Sequence, residues 1–422
     1  MRRALGLVFL VACGTNVVAG PTPDPCPVDR TALDPNGNPP SCGSGAKGGG
    51  TPTPRGDAAS SLDGAGRTMV MFGGDSGNAP CGGIPGHTHL GDTWLFDAAC
   101  GAWEEQTIDG PGPRARHAMV TDAKRHRALL FGGRTREGDT GPYTVLNDLW
   151  AFDFSCKTWT KIDAGGTPPP PRSNTAMAID ASLDEVVVFG GNSSTDGLSF
   201  SPMNDTYILD LATDTWRAAA TAARPPSRLF HALAIDESAH VAYTYSGGDT
   251  KAFTGPFLKD VWAFDIASET WSLVPTTNVP KYGRINFGMT FDATSRELVV
   301  VAGHDDGPVG NHNEVWTLNV DSRAWARAPG GDTLNKASTA QCVFEPDFTT
   351  IDKNAPERRQ SFAFAPRPDG RGMVVAMGKG DCGLLSDAYW WNDAVKAWGP
   401  LKTTPLGLSC LRFKTGCTDL CN

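Results

Sequence analysis

The sequence predicts an all-β fold assembled from six copies of one repeated unit. One short pattern recurs six times between Arg55 and Trp398. Each copy begins with an arginine and reaches a glycine pair about eighteen residues later, which degenerates to Ala302-Gly303 and Met377-Gly378 in the last two copies. A variable loop then leads to an Asp-x-Trp motif, written Asp-x-Tyr or Glu-x-Trp in three copies, and to a second tryptophan. Short apolar or β-branched runs lie between these markers, and no sustained helical period is present. Repetition of this kind is typical of architectures in which each unit buries its faces against its neighbours.

The markers define units of similar length. The leading arginines recur every 56 to 59 residues, with a last interval of 75, at Arg55, Arg114, Arg172, Arg228, Arg284 and Arg359. Runs such as Ala128–Phe131 and Val186–Phe189 predict strands, and each unit has room for four. The glycine pairs permit positive φ and close backbone approach at the end of the second strand; the intact pairs are Gly73-Gly74, Gly132-Gly133, Gly190-Gly191 and Gly247-Gly248. The second aromatic residue is expected to fill the space between neighbouring sheets, at Trp103, Trp159, Trp216, Trp271, Trp325 and Trp398.

A glycine pair followed by a conspicuous aromatic residue resembles the kelch motif. The resemblance covers residues 55–398 and recurs in all six copies. Because each kelch repeat forms a four-stranded antiparallel blade, it implies a six-bladed β-propeller over residues 55–403, with blades starting near 55, 114, 172, 228, 284 and 359. All copies run from their arginine strand to their tryptophan strand, so closure by a shared strand is not evident. A Cys-rich tail over 404–422, or Cys81 with Cys382, is the alternative means of tying the ring.

The N-terminus indicates export. Residues 1–12 combine Arg2 and Arg3 with a short apolar run, as in a signal peptide. The end of that run resembles a bacterial lipobox, which implies lipidation of Cys13, a membrane contact through this anchor only, and an extracytoplasmic place in the bacterial cell envelope. Residues 13–54 are rich in Pro, Gly, Ser and Thr and predict a flexible tether, within which Cys26 and Cys42 could close a loop.

Charge and cysteine content narrow the classes of partner. The chain has 37 basic and 46 acidic residues and no basic cluster, which argues against a nucleic-acid partner. Ten cysteines remain besides Cys13, an even number that suits disulfides in an oxidising compartment. Cys100 and Cys156 occupy matching turns of neighbouring blades, yet equivalent points near the rim should lie beyond disulfide reach.

Loop lengths identify the face expected to bind. The turns between first and second strands and between third and fourth strands are uniformly short. The loops between second and third strands are long and dissimilar, and the largest insertion, near residues 328–358, lies on the same side of the predicted disc. Because binding residues are usually carried by variable loops on a rigid scaffold, this long-loop face is the expected binding surface.

Polar residues that differ between copies are the candidate ligand contacts. The residues after the glycine pairs are Asp75, Arg134, Asn192, Asp249, His304 and Lys379, and they could equally be ordinary solvated loop residues. Arg116 and His117 are further candidates because no other copy repeats the pair. Tyr143, Phe200 and Phe253 could stack on a sugar. The leading arginines occur in every copy and are instead expected to join blade to blade through carboxylate or carbonyl partners.

No cofactor or metal is predicted. His87, His89, His304 and His312 lack a fixed third ligand. The ligand sets of galactose-oxidase-type and iron-dependent specifier propellers have no match here. The sequence therefore predicts a non-catalytic module that binds a protein or carbohydrate ligand. A small-sugar enzyme of the sialic-acid mutarotase kind, which needs a general acid/base pair, and a structural envelope component are the alternatives.

Overall fold

The computed structural model describes residues 26, 28–29, 31–43, 49–77, 88–138, 141–197, 199–252, 254–305, 310–336, 348–381 and 383–402. Within these residues the protein is a six-bladed propeller of antiparallel four-stranded sheets, as the sequence predicted. Helical structure in the described part is confined to a single 3-10 turn at Ala123–Arg125. No helix among these residues is long and apolar enough to cross a membrane.

The strands of the first three blades follow chain order within each sheet. Blade 1 contains β1 Ala59–Leu62, β2 Thr68–Asp75, β3 His89–Asp97 and β4 Ala102–Gln106. Blade 2 contains β5 Ala118–Asp122, β6 Arg127–Thr135, β7 Thr144–Asp153 and β8 Thr158–Ile162. Blade 3 contains β10 Ala176–Asp180, β11 Glu185–Asn192, β12 Pro202–Asp210 and β13 Thr215–Ala218, with β9 Gly165–Gly166 added in parallel to its outer edge.

The last three blades repeat this order. Blade 4 contains β14 Ala232–Asp236, β15 Val241–Tyr245, β16 Val261–Asp265 and β17 Thr270–Val274. Blade 5 contains β18 Gly288–Asp292, β19 Glu297–Val301, β20 Val315–Asn319 and β21 Ala324–Arg327. A hairpin of β22 Thr333–Leu334 and β23 Thr349–Thr350 lies in the long link to blade 6, which contains β24 Ala363–Pro366, β25 Gly372–Ala376, β26 Ala388–Asn392 and β27 Ala397–Lys402.

The core consists of layers between adjacent blades. The second strand of each blade is buried on both faces, as in the fully buried run Val186–Phe189 of β11, except in blade 4, where Val241 and Tyr243 of β15 are partly exposed. The second tryptophans pack on the preceding blade, as sequence reasoning expected: the ring centroids of Trp271 and Phe189 lie 4.7 Å apart. Trp271 Nε1 also donates to Thr206 Oγ1 across the same interface, at 2.9 Å. One blade alone could not bury these rings, so the ring of blades is the unit of stability.

Among the described residues, ring closure uses no shared strand, because the four strands of blade 1 and of blade 6 each come from one continuous segment. A core cluster that includes Met69 and Trp103 of blade 1 and Val374 and Trp390 of blade 6 fills this seam. Cys81, Cys382 and the tail cysteines lie outside the described residues. The prediction that they tie the ring therefore stays a prediction.

Two disulfides correct the expected cysteine pairing. Cys26 is bonded to Cys156 and Cys42 to Cys100, so Cys26 and Cys42 do not close a loop with each other. The expectation that Cys100 and Cys156 are not bonded together is confirmed. Both bonds connect the Pro/Gly-rich N-terminal segment to short turns of blades 1 and 2, where the described part of the segment lies against the propeller.

Candidate functional site

A buried arginine braces each blade at its long-loop end. In blade 3, Arg172 Nη1 donates to the carbonyl oxygen of Gly190 at 3.1 Å, and the guanidinium holds both carboxylate oxygens of Asp205 at 2.7 and 2.9 Å. The equivalent ion pairs are Arg55–Asp92, Arg114–Asp148, Arg228–Asp260, Arg284–Glu314 and Arg359–Asp387. In four blades the tryptophan of the Asp-x-Trp motif donates its indole N–H to the same carboxylate. The motif therefore fixes the start of the third strand against the end of the second.

The same arginines also join neighbouring blades, through their backbone. The carbonyl oxygen of Arg114 accepts the N–H of Gly74 in the preceding blade at 2.9 Å. The pattern continues around the ring and closes where Gly378 donates to Arg55 at 2.8 Å. The leading arginines do hold carboxylate and carbonyl partners, but these lie in the same blade, so the expectation that these side-chain contacts join blade to blade is wrong. The backbone of each arginine makes the link to the neighbouring blade instead.

A closed ring of six backbone hydrogen bonds surrounds the central axis on the long-loop face. Its members are the second residues after the leading arginines: Asp57, Arg116, Asn174, Phe230, Asn286 and Ser361. Each donates its N–H to the carbonyl oxygen of its counterpart in the preceding blade, over 2.8 to 3.3 Å. All six have φ between 52° and 60°, an uncommon conformation for residues other than glycine that clusters at functional sites. We call these six residues the mouth ring.

The mouth ring opens into a shallow central cavity of about 150 Å³. The next residue of each blade, including His117, Thr175 and His231, lines its wall. Enclosed small-molecule sites typically have volumes of about 300 to 1,000 Å³. The cavity is therefore of a size for a side chain or two of a larger ligand.

One carboxylate in the mouth ring is neutralised by two cations. Lys379 Nζ lies 2.6 Å from Asp57 Oδ2, and Arg116 Nε lies 3.6 Å from the same oxygen. Burial raises the pKa of Asp57, but the charges of Lys379 and Arg116 outweigh this and hold it well below its usual range. Asp57 is consequently an ionised partner of these cations and a poor proton acceptor.

A second group of cations lies beside the mouth ring in blade 2. Arg134 and Arg136 stack on the ring of Tyr143, with guanidinium carbons 3.7 and 4.5 Å from its centroid. Arg134 is 3% exposed, and its Nε and Nη1 have no hydrogen-bond partner among the described residues. Nε and Nη2 of Arg136 are in the same situation. Burial, followed by the charge of Arg116, lowers the pKa of Arg134. We call Arg134, Arg136 and Tyr143 the arginine cluster.

The predicted polar residues after the glycine pairs do not form one open ring. Three hold their own loops: Asp75 accepts the N–H of Gly77, Asn192 accepts that of Ser201, and His304 bonds to Asn311. Arg134 and Lys379 do reach the neighbourhood of the mouth ring. The prediction that these residues contact a ligand remains a prediction.

The glycine pair assigned to blade 4 is shifted by one residue. The positions equivalent to the other pairs are Ser246 and Gly247, with φ of 53° and 100°. Arg228 accordingly donates to Ser246 O, eighteen residues away, as in every other blade. Gly248 therefore follows the pair and forms the equivalent bridge with Leu229. Asp249 lies one position further on, where it accepts the N–H of Lys251.

Sequence reasoning missed five members of the mouth ring, Arg116 excepted. The same rule that selected the other candidates could have found them, because the second position after each arginine also differs in every copy except for a repeated asparagine. Tyr143 is 4% exposed beneath the arginines and Phe200 is partly buried, so neither presents an open stacking platform. Phe253 lies outside the described residues.

His117 has a structural counterpart in His231. The two rings pack edge-on against Phe72 and Phe189 of the preceding blades, at centroid distances of 5.8 and 5.3 Å. His231 Nε2 donates to the carbonyl oxygen of Phe189 at 3.1 Å. Burial, followed by a neighbouring arginine, lowers the pKa of each imidazole to about 3. Both histidines are therefore neutral at physiological pH.

This depression predicts a loss of stability in mild acid. An unfolded histidine gains a proton below about pH 6.5, whereas these two stay neutral in the fold down to about pH 3. The free energy of unfolding should fall by about 2 kcal/mol per histidine between pH 7 and pH 5. Denaturant unfolding at several pH values measures this change. In the His117→Phe variant, the slope of the unfolding free energy against pH should decrease by the amount that corresponds to one proton. An unchanged slope in that variant would show that His117 is protonated in the folded state.

The described residues contain no group of three or more His, Cys, Asp or Glu placed to hold a metal ion. His304 and His312 serve protein contacts, since His312 Nδ1 lies 2.8 Å from Glu314 Oε1. His87 lies outside the described residues.

Comparison with known proteins relates the whole propeller to one family. A family model described as the KLHDC2/KLHL20/DRC7 Kelch-repeats domain matches residues 44–241 and 181–409. Adagio protein 3 of Arabidopsis thaliana is 33% identical over 177 residues, which cover 40% of this chain and 25% of that protein. An F-box/kelch-repeat protein of the same plant is 28% identical over 68% of this chain and 59% of its own length. Kelch domain-containing protein 10 of Xenopus tropicalis is 27% identical over 56% of each protein. The chain spans between a quarter and about three fifths of these relatives.

Proposed function

We propose that this chain, which belongs to the KLHDC2/KLHL20/DRC7 Kelch-repeats domain family, is a non-catalytic binding module. Its mouth binds an acidic segment of a protein partner. The arginine cluster carries this proposal. A buried guanidinium whose N–H groups have no partner is costly, and a carboxylate ligand would satisfy those groups with charge-assisted hydrogen bonds. The mouth ring lies beside the cluster and offers a shallow cavity that suits an anchoring side chain.

The geometry supports a binding module better than a sugar enzyme. The cavity volume is below that of a typical enclosed small-molecule site. The ionisable groups there are Asp57 with the cations that neutralise it, and His117 and His231, whose pKa values burial lowers to about 3. General acid–base catalysis needs a group whose pKa is near the working pH. The aromatic rings that sequence analysis offered for sugar stacking are covered or partly buried where the structure describes them, which favours a protein over a carbohydrate.

Export to an oxidising compartment is part of the same proposal. The leader over residues 1–12 and the lipobox-like end at Cys13 motivate it. The two disulfides between the N-terminal segment and the propeller support it, since such bonds persist outside the cytosol. A lipid at Cys13 would hold the propeller at the cell envelope. Mass spectrometry of the processed N-terminus in the native host tests this: a chain that still begins at Met1 would contradict it.

The orientation of binding can be tested with a photo-crosslinking residue placed on either face. Ser199 is an exposed position in a long loop, and Thr213 is an exposed position in a short turn of the same blade. In the native host, the Ser199 variant should give a crosslinked protein band, and the Thr213 variant should not. Crosslinking from Thr213 alone would place the binding surface on the opposite face and refute the proposal.

A further inference from the structure

The N-terminal segment crosses the short-turn face between two covalent anchors. Cys26 is bonded to Cys156 in the third turn of blade 2, with a Cα–Cα distance of 5.2 Å. Cys42 is bonded to Cys100 in the equivalent turn of blade 1, with a Cα–Cα distance of 4.8 Å. The two bonds leave a span of fifteen residues between the anchors, so that its path over the propeller is restricted at both ends.

Between these anchors the segment lies against blade 6. Arg367 donates to the carbonyl oxygens of Asp34 and Asn38, at 2.8 and 3.3 Å. Trp390 Nε1 donates to the carbonyl oxygen of Gly37 at 2.9 Å, and this bond is buried. Asn392 Nδ2 donates to Asn38 Oδ1 at 2.9 Å. The contacts come from the turn between β24 and β25 and from β26, so the segment is held at two elements of blade 6.

Gly37 fits this interface closely. Its φ is 74°, and a Cβ placed there would lie 2.6 Å from the carbonyl oxygen of Arg371. Gly43, just beyond the second anchor, has no atom within 4 Å of a corresponding Cβ. The segment therefore has a shaped contact at blade 6 and open space beside it.

The seam between blades 6 and 1 is the place where such a contact matters. In the part of the chain that the structure describes, the ring closes there without a shared strand. Polar links across the seam lie on the long-loop side and include Gly378 N–H to Arg55 O, Asp57 N–H to Ser361 O, and Lys379 to Asp57. The N-terminal segment spans the same seam on the opposite side, since it is bonded to blade 1 and seated on blade 6.

We propose that the described part of the segment between Cys26 and Cys42 forms a latch that closes the ring across this seam, and that the two disulfides make the stability of the closed ring depend on oxidation. The cysteines in the turns of blades 1 and 2 are the anchor points of this latch. Cleavage of each S–S bond to two thiols would leave the contacts with blade 6 without their anchors. Blade 6 would then separate more readily from blade 1, while the other interfaces would keep their packing.

The full chain tests this by thermal unfolding and hydrogen exchange before and after reduction with a phosphine. Reduction should lower the Tm by about 5 °C, from the usual effect of a disulfide in a protein of this size. Exchange in β24 and β25 of blade 6 should accelerate more than tenfold, and that in β14 and β15 of blade 4 should stay unchanged. A uniform acceleration, or an unchanged Tm, would overturn the latch.

A matched pair of variants separates the latch from a general effect of reduction. Gly37→Ala should lower the Tm of the oxidised protein and accelerate exchange in blade 6, whereas Gly43→Ala should do neither. After reduction, the difference between the two variants should shrink because the segment is no longer anchored. Equal behaviour of the two variants in the oxidised protein would contradict the inference.

Discussion

Arg172→Met is expected to lower the free energy of unfolding by about 3 to 5 kcal/mol. Arg172 is fully buried and holds Asp205 through two hydrogen bonds and Gly190 through a third. Methionine fills much of the same volume but leaves these acceptors without their donor. Because Asp205 orients the start of β12, the loss should also loosen the attachment of the long loop before it. Urea unfolding monitored by tryptophan fluorescence measures the change.

Arg217→Met is the matched control for this substitution. Arg217 also contacts two carboxylates, Glu185 and Glu269, each at 3.0 Å. Its side chain is 40% exposed, so solvent screening should limit the effect to about 1 kcal/mol or less. Similar losses of unfolding free energy in the two variants would mean that the leading arginines contribute no more to stability than surface ion pairs do.

Arg134→Gln combined with Arg136→Gln is expected to weaken binding of an acidic partner segment by about 100-fold. A hydrogen bond to a charged group contributes about 1.5 to 3 kcal/mol, and loss of two such bonds gives at least this factor. The same double variant should leave the Tm unchanged or slightly raised, because the affected N–H groups have no hydrogen-bond partner within the described protein. Loss of the arginine cluster should therefore weaken binding without lowering stability, whereas loss of a leading arginine should lower stability.

Lys251→Gln provides the control for charge alone. Lys251 is an exposed cation in the long loop of blade 4, away from the arginine cluster. Its removal should change affinity less than threefold while lowering the net positive charge of the same face. If Lys251→Gln weakened binding as much as the double variant, diffuse electrostatic attraction rather than the arginine cluster would account for recognition.

Most of the fold could be predicted because each structural marker recurs six times. Every blade uses three markers for the same physical purpose: the leading arginine, the backbone turn eighteen residues later and the second tryptophan. The one error of register arose in blade 4, where glycines appear at 247 and 248. The left-handed residue there is Ser246, so the constant distance from the arginine was a better guide than residue type.

The site was predictable only in part, because the backbone conformation decides which residues reach the mouth. Residues after the glycine pairs looked like open loop residues, yet they form bridges with the start of the same blade and several are buried. The mouth is formed instead by residues two positions after each arginine, whose left-handed conformation the sequence does not announce at Phe230 or Arg116. The disulfide partners were equally inaccessible, since the path of the N-terminal segment depends on contacts with blade 6.

We propose that the mouth recognises an acidic protein segment through the arginine cluster. The test is a selection of displayed random peptides on the oxidised full chain. Peptides that also bind the Arg134→Gln, Arg136→Gln double variant are removed. We predict enrichment of peptides rich in Asp and Glu whose binding weakens with added salt. Enriched peptides without acidic residues, or peptides that bind the double variant equally well, would contradict the claim.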